Sequence, residues 1–216
     1  MIHNNSVKEK YLYIMNDLRN KTISAEILSK ERNQIMIEST SLQLRMILEL
    51  ISYLFVVVNQ DKFNSKQKEE WSPTKFIENL QDKVSVFYPT PCYVIEDETG
   101  EPTVIPRGFQ HALNISELKE AYKNYNNALH AFHRFKTKKL TNDELWVLNT
   151  NVIRQVKELL ANHIITIKES GNLYSFLHSE IDFKKKKKVK PIYIKQYKVN
   201  ITNEEILLKI FGHQLK

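Results

Sequence analysis

Hydrophobic positions recur at helical spacing along most of this chain, and in one stretch they spread well beyond a single stripe. From Met46 to Val58 the residues are Met, Ile, Leu, Glu, Leu, Ile, Ser, Tyr, Leu, Phe, Val, Val, Val. A helix that is apolar on nearly every side is one buried on most faces, so 31–60 is expected to form the central helix of a bundle. Upstream, Leu12, Met15, Leu18, Ile23 and Ile27 predict an N-terminal helix over 7–28, antiparallel to the central one. Downstream, 60–71 reads as a polar connection. Ser72 and Pro73 then supply an N-cap and the residue favoured at a first helical position, opening a short helix over 73–82 with Phe76, Ile77 and Leu80 inward.

The pattern changes at Val84. Phe87-Tyr88-Pro89-Thr90-Pro91 is expected to be extended, because a residue before proline is pushed out of the helical region. Tyr93-Val94-Ile95 should pair with Thr103-Val104-Ile105 across a turn containing Gly100. The acidic tip, Glu96, Asp97, Glu98 and Glu101, reads as a solvated loop. Asn114 with Glu117, and Thr141 with Glu144, have capping-box spacing and open helices over 115–135 and 142–162. Their inward stripes are Leu118, Tyr122, Tyr125, Leu129 and Phe132, then Leu145, Leu148, Val152, Val156 and Leu159. From His163 the period becomes that of strands, over 163–168, 173–181 and 192–199, and Thr202 with Glu205 caps a last helix over 203–211. The fold class expected is α+β, mainly α: a helical bundle around a long central helix with a small C-terminal antiparallel sheet. Residues 1–162 make the bundle, with an extended insertion near 84–111. Residues 163–216 make the sheet and terminal helix packed on it, within one domain.

Composition changes this picture little. Four Gly and six Pro among 216 residues favour helices over a many-turned β fold. The apolar run 50–58 falls short of the roughly 20 residues that span a bilayer, and the first ten residues lack an apolar signal core. A cytoplasmic protein with no membrane partner is expected. The single Cys92 excludes an intrachain disulfide and a cysteine-rich zinc site, and reads as a small apolar filler. A formal charge of +7 is concentrated in one block, Lys184, Lys185, Lys186, Lys187, Lys188 and Lys190. Such a block between two strands suits a phosphate backbone, with strong salt dependence and no sequence preference. Phe183, Tyr193 and Tyr197 flank it; they either stack on bases or face a core.

Two further constellations carry candidate chemistry. Glu38, Arg45 and Glu49 fall at i, i+7 and i+11, so they share one stripe of the central helix. Beside a core, such a buried charge stripe either fixes register through an Arg45–Glu49 pair or lines a pocket with a buried Arg. Near the end of the 115–135 helix, Asn127, His130 and Arg134 fall at i, i+3 and i+7, with His133 close by. Two imidazoles and a guanidinium on one face could hold phosphate or move a proton. Cations in a last helical turn also complement the dipole without further role. His163 and His178 read as half-buried structural residues. No phosphate-cradling glycine loop, paired-cysteine motif, Gly-x-Ser-x-Gly elbow or His-Glu-x-x-His helix occurs, and no cofactor or metal is expected.

The segment from Ile37 to Ile51, IESTSLQLRMILELI, resembles the first long core helix of the HEPN-like proteins, a superfamily of bacterial helical domains. The segment 122–135, which contains Leu129-His130, is similar to a second signature of one bacterial group within it. So is the helix 152–163 running into a strand. The resemblance implies a frequently dimeric protein of RNA processing, phage defence or toxin–antitoxin systems, often a ribonuclease. The family's catalytic signature is Arg, four to six residues, then His. Here Arg107 and His111 are separated by three residues, and Arg154 and His163 by eight, so neither pair is carried over. The leading expectation is a homodimeric HEPN-like protein that binds RNA or a nucleotide, with an operon-encoded protein as a further partner. One alternative is a metal-independent RNase using His130, His133 and Arg134. The other is a non-catalytic structural or dimerisation subunit.

Overall fold

The structure is a computed structural model, and it describes residues 7–70, 72–84, 86–96, 102–129, 140–168, 173–183 and 193–200. Helix α1 spans Val7–Leu28 and α2 spans Gln34–Val58. Asn33 starts α2: its side-chain oxygen accepts the Met36 N–H at 3.0 Å, satisfying one of the donors a helix leaves free at its first turn. The two helices lie antiparallel, with Lys21 beside Met46 and Lys10 reaching Gln60.

Helix α2 is central but not enclosed on every side. Leu44, Ile47, Leu48, Ile51 and Phe55 are fully buried, whereas Ile35 and Leu42, on another face, are 72% and 46% exposed. The sequence is apolar around most of the helix; neighbours cover only part of it. By length and hydropathy α2 is also apolar enough to cross a membrane, which the short 50–58 run does not suggest. Over half of its most apolar window, 56%, is instead buried inside the fold, as in the core helix of a bundle.

The connection after α2 is polar and mostly exposed, yet ordered into a 3₁₀ turn, Gln60–Lys62, and a short helix α3, Ser65–Lys68, closed by an Asn64/Gln67 capping box. Helix α4, Pro73–Gln81, sets Phe76 against Tyr53 of α2 and edge-on to Phe63. Ser72 precedes it, but its side chain makes no cap bond; its N–H donates to Glu70 instead.

Strands β1, Thr90–Glu96, and β2, Pro102–Pro106, form the hairpin in the expected register, Tyr93 opposite Ile105 and Ile95 opposite Thr103. They are not an isolated excursion. Thr90 and Pro91 pair with Ile164 and His163 of β3, Asn162–Lys168, and β4, Leu173–Glu180, and β5, Tyr193–Asn200, follow. Among the described residues this makes one antiparallel sheet of five strands, in the order β2-β1-β3-β4-β5. Sequence alone separates a hairpin from a three-stranded sheet, because nothing local signals that β1 pairs with a strand some seventy residues later.

Helices α5, Ile115–Leu129, and α6, Asn142–Ala161, begin at the capping boxes formed by Asn114 with Glu117 and Thr141 with Glu144. Leu113, just ahead of α5, accepts a bond from Tyr88, which packs on Phe55 late in α2; seven residues into α5, Tyr122 meets Glu49. Helix α5 therefore runs antiparallel to α2. Helix α6 runs parallel to it, from Trp146, whose indole N–H donates to the Ser29 carbonyl, toward the sheet. The continuation of α5 toward 135 and the helix expected over 203–211 lie outside the described residues.

One polar residue fixes the α2/α6 register. Asn149 is 1% exposed at a position that helical spacing gives to the core, between Leu145 and Val152. Its amide donates to the Ile37 carbonyl at 3.0 Å, and its oxygen lies 3.1 Å from the Ser41 hydroxyl. Asn149→Ala is expected to lower unfolding stability by about 1–3 kcal/mol, because it leaves Ser41 facing a gap and removes a buried bond. Urea midpoints measured beside Thr150→Ala, on the exposed side, check this; equal effects would refute a locking role.

Candidate functional site

The charged stripe on α2 forms a seam against α5. Arg45 Nε lies 3.3 Å from Glu49 Oε1, and their side chains are 21% and 24% exposed. The Tyr122 hydroxyl donates to the same carboxylate oxygen at 3.2 Å, and the Arg45 guanidinium sits 5.9 Å from the Tyr122 ring centroid. Burial, and then the Glu49 charge, raise the Tyr122 pKa. Glu38, one turn short of Leu42, accepts instead from Gln34 at 3.0 Å. Arg45 and Glu49 are thus half-buried and paired with each other, while Glu38 bonds along its own helix. Tyr122, which completes the seam, reads in the sequence as an ordinary core residue.

Asn127 is exposed on the last turn of α5. His130, His133 and Arg134 lie outside the described residues, as do Lys184, Lys185, Lys186, Lys187 and Lys188. The described chain ends its β4 excursion at Phe183, whose ring lies 5.8 Å from Lys157 Nζ of α6. Lys157 is bound to Glu26 of α1 at 2.8 Å. Between α6 and residues 180–183 runs an open groove of about 580 Å³, walled by Arg154, Lys157, Asn162, Glu180 and Phe183 over Ile153, Ala161 and Ile181. The Ile181 N–H donates to the Ala161 carbonyl at 3.0 Å, pinning the far wall to the helix.

Two buried polar residues escape a reading by periodicity. Arg19, two turns before Glu26 on the same face of α1, is only 8% exposed. Among the described residues it has neither ion pair nor hydrogen bond: its stem is buried while its guanidinium reaches solvent. His163 is fully buried, and its Nε2 and the Tyr11 hydroxyl lie 2.6 Å apart in a hydrogen bond. Ser179, its partner across the β3–β4 ladder, is buried beside it, and the neighbouring His178 is 2% exposed with Nε2 3.3 Å from Asn162 Oδ1. Both histidines are enclosed rather than half-buried. Burial, reinforced by the His178 charge and opposed by the Leu160 carbonyl, pushes the His163 pKa down to about 3, so the ring is neutral at physiological pH. The tie to Tyr11 spans 152 positions, and no local pattern announces it.

Cys92 is buried as a filler, its thiol pushed up to about 12 by burial, with Arg107 acting in the opposite sense. Among the described residues no three His, Cys, Asp or Glu side chains come together to hold a metal. Compared with known protein families, curated proteins and solved structures, the chain gives no match.

Proposed function

We propose that this chain is a HEPN-like helical protein of the cytoplasm that binds RNA or a nucleotide in a bacterial defence, toxin–antitoxin or stress setting, acting as a homodimer and with an operon-encoded partner. The observation that carries the reading is that cations on the α1/α6 side stand without carboxylate partners among the described residues. Arg154 and the buried Arg19 have no carboxylate partner among the described residues, and Lys157 stands against Phe183, from which the chain continues into Lys184–Lys188. Cations held by a rigid wall, next to a run of five lysines, supply the sequence-independent attraction that phosphate backbones require. In this reading Asn127, His130, His133 and Arg134 add phosphate contacts. The Arg45–Glu49–Tyr122 seam favours a structural role for the α2 stripe, which therefore stands outside the RNA surface.

Fluorescence anisotropy of a labelled single-stranded RNA across a salt series tests the proposal. Wild type is expected to bind at low salt. Converting Lys184 to Lys188 into Gln is expected to flatten the log Kd against log salt slope by about 3.5, if each lysine meets one phosphate. A parallel loss in a His130→Ala/Arg134→Ala variant places the second contact. RNA cleavage in EDTA, abolished by His130→Ala or His133→Ala, turns the reading into that of a ribonuclease. No binding by wild type at low salt refutes it.

A further inference from the structure

We infer that the groove between α6 and residues 180–183 is a nucleotide subsite, taking guanine at its Glu180 end and the attached phosphate at its Arg154 end. The inference rests on the RNA- or nucleotide-binding reading above and assigns a place and a base to it.

The groove is built on fixed elements. Thr150, Arg154 and Lys157 share one face of α6 at i, i+4 and i+7, and the opposite wall is held by the Ile181–Ala161 backbone bond. A volume of about 580 Å³ lies within the range of small-ligand sites. Its floor is apolar, from Ile153, Ala161 and Ile181, and Phe183 supplies an aromatic surface of the kind on which bases stack.

Charge accounting narrows the ligand. Glu26 is neutralised by Lys157 at 2.8 Å, Glu158 by Arg107 at 3.2 Å, and Asp182, the groove's fourth carboxylate, is itself engaged. Arg154 and Glu180 are both exposed, and neither has an ion pair or hydrogen bond among the described residues. The groove thus offers one uncommitted guanidinium and one uncommitted carboxylate. They stand apart: Glu180 is paired across the sheet with Asn162, eight residues beyond Arg154, or about 12 Å along a helical rise. A ligand that answers both carries an anion at one end, a donor edge at the other and a flat apolar body between, as a nucleoside monophosphate does.

The carboxylate sets the orientation and selects the base. An ionised Glu180 accepts hydrogen bonds only, and it repels phosphate. It therefore faces the base, and guanine presents two adjacent donors, the ring N–H and the exocyclic amine, to a bidentate acceptor. Uracil presents a single donor between two carbonyls. Arg154, with its planar fork of donors, takes the phosphate.

Isothermal titration of the full-length protein with GMP, AMP, UMP and guanosine tests this, with Glu180→Gln and Arg154→Ala as variants. Both side chains are exposed, and thermal melts check that the variants fold. GMP is expected to bind roughly tenfold tighter than UMP, the size of one good bidentate contact. Glu180→Gln should abolish that preference, and Arg154→Ala should weaken GMP about tenfold while leaving guanosine unchanged. Equal binding of the nucleotides, no GMP binding at millimolar concentration, or indifference to both variants overturns the subsite. RNA binding that persists with indifference to base and to these variants refutes the groove alone and leaves the electrostatic reading standing. GMP binding without RNA binding refutes the RNA reading alone.

Discussion

Acidification from pH 7.5 to pH 4.5 is expected to remove about 3 kcal/mol of folding stability through His163 alone. Its folded pKa is about 3 against an ordinary 6.5, so between those values the unfolded chain binds a proton that the folded chain does not. Stability from this group is fully present above pH 6.5 and is lost as pH falls toward 3. Two pH units below 6.5, at about 1.4 kcal/mol each, give the figure quoted. The groups facing the ring, Tyr11, Ser179 and His178, include no carboxylate that would rescue an imidazolium. Urea titrations at the two pH values measure the loss. In His163→Gln, which keeps an acceptor for the Tyr11 hydroxyl, the decline should be shallower by about that amount, leaving what the carboxylates contribute. An identical pH slope in wild type and variant would show that His163 is protonated without opening the fold.

Phe55→Ala is expected to cost about 3–5 kcal/mol, enough to bring a domain of ordinary stability close to unfolding at 37 °C. Phe55 is fully buried late in α2. Its ring packs edge-on to Phe87 at 5.3 Å and lies 6.2 Å from Tyr88, so it joins the central helix to the segment that leads into β1. Truncation leaves a cavity between α2 and the segment carrying Phe87 and Tyr88. Leu42→Ala on the same helix, where the side chain is 46% exposed, is expected to change stability by no more than about 0.5 kcal/mol. Denaturant midpoints for the two variants decide the matter. A comparable loss in both would mean that the outer face of α2 is covered in solution.

The parts of the fold legible in the sequence are those whose causes are local. Thr141 with Glu144 and Asn114 with Glu117 cap helices because the partners lie three residues apart, and Tyr93 meets Ile105 between strands that are neighbours in sequence. The Arg45–Glu49 pair is likewise given by an i, i+4 spacing. What stays hidden depends on distant segments: the β1–β3 pairing, the Tyr11–His163 bond, and Tyr122 closing on Glu49. Arg19 and Asn149 stand between these cases. Each is a polar residue at a core-spaced position of an amphipathic helix, a signal available in the sequence, but the pattern alone does not say that Asn149 finds partners and Arg19 does not. For the candidate site, the lysine block and the pair His130 and His133 are visible as composition. The groove is not, because its walls are brought together only when residues 180–183 fold back onto α6.

The sole cysteine, buried within β1 with its thiol held far from ionisation, gives the native chain almost no reactivity toward alkylating reagents. Any modification of Cys92 under native conditions must wait for β1 to separate from its surroundings, so its labelling rate clocks the opening of that edge of the sheet. The same silence makes the wild-type background suitable for attaching a probe. A cysteine introduced at Thr150, on the groove wall, would be the one thiol that reacts while the fold stays shut.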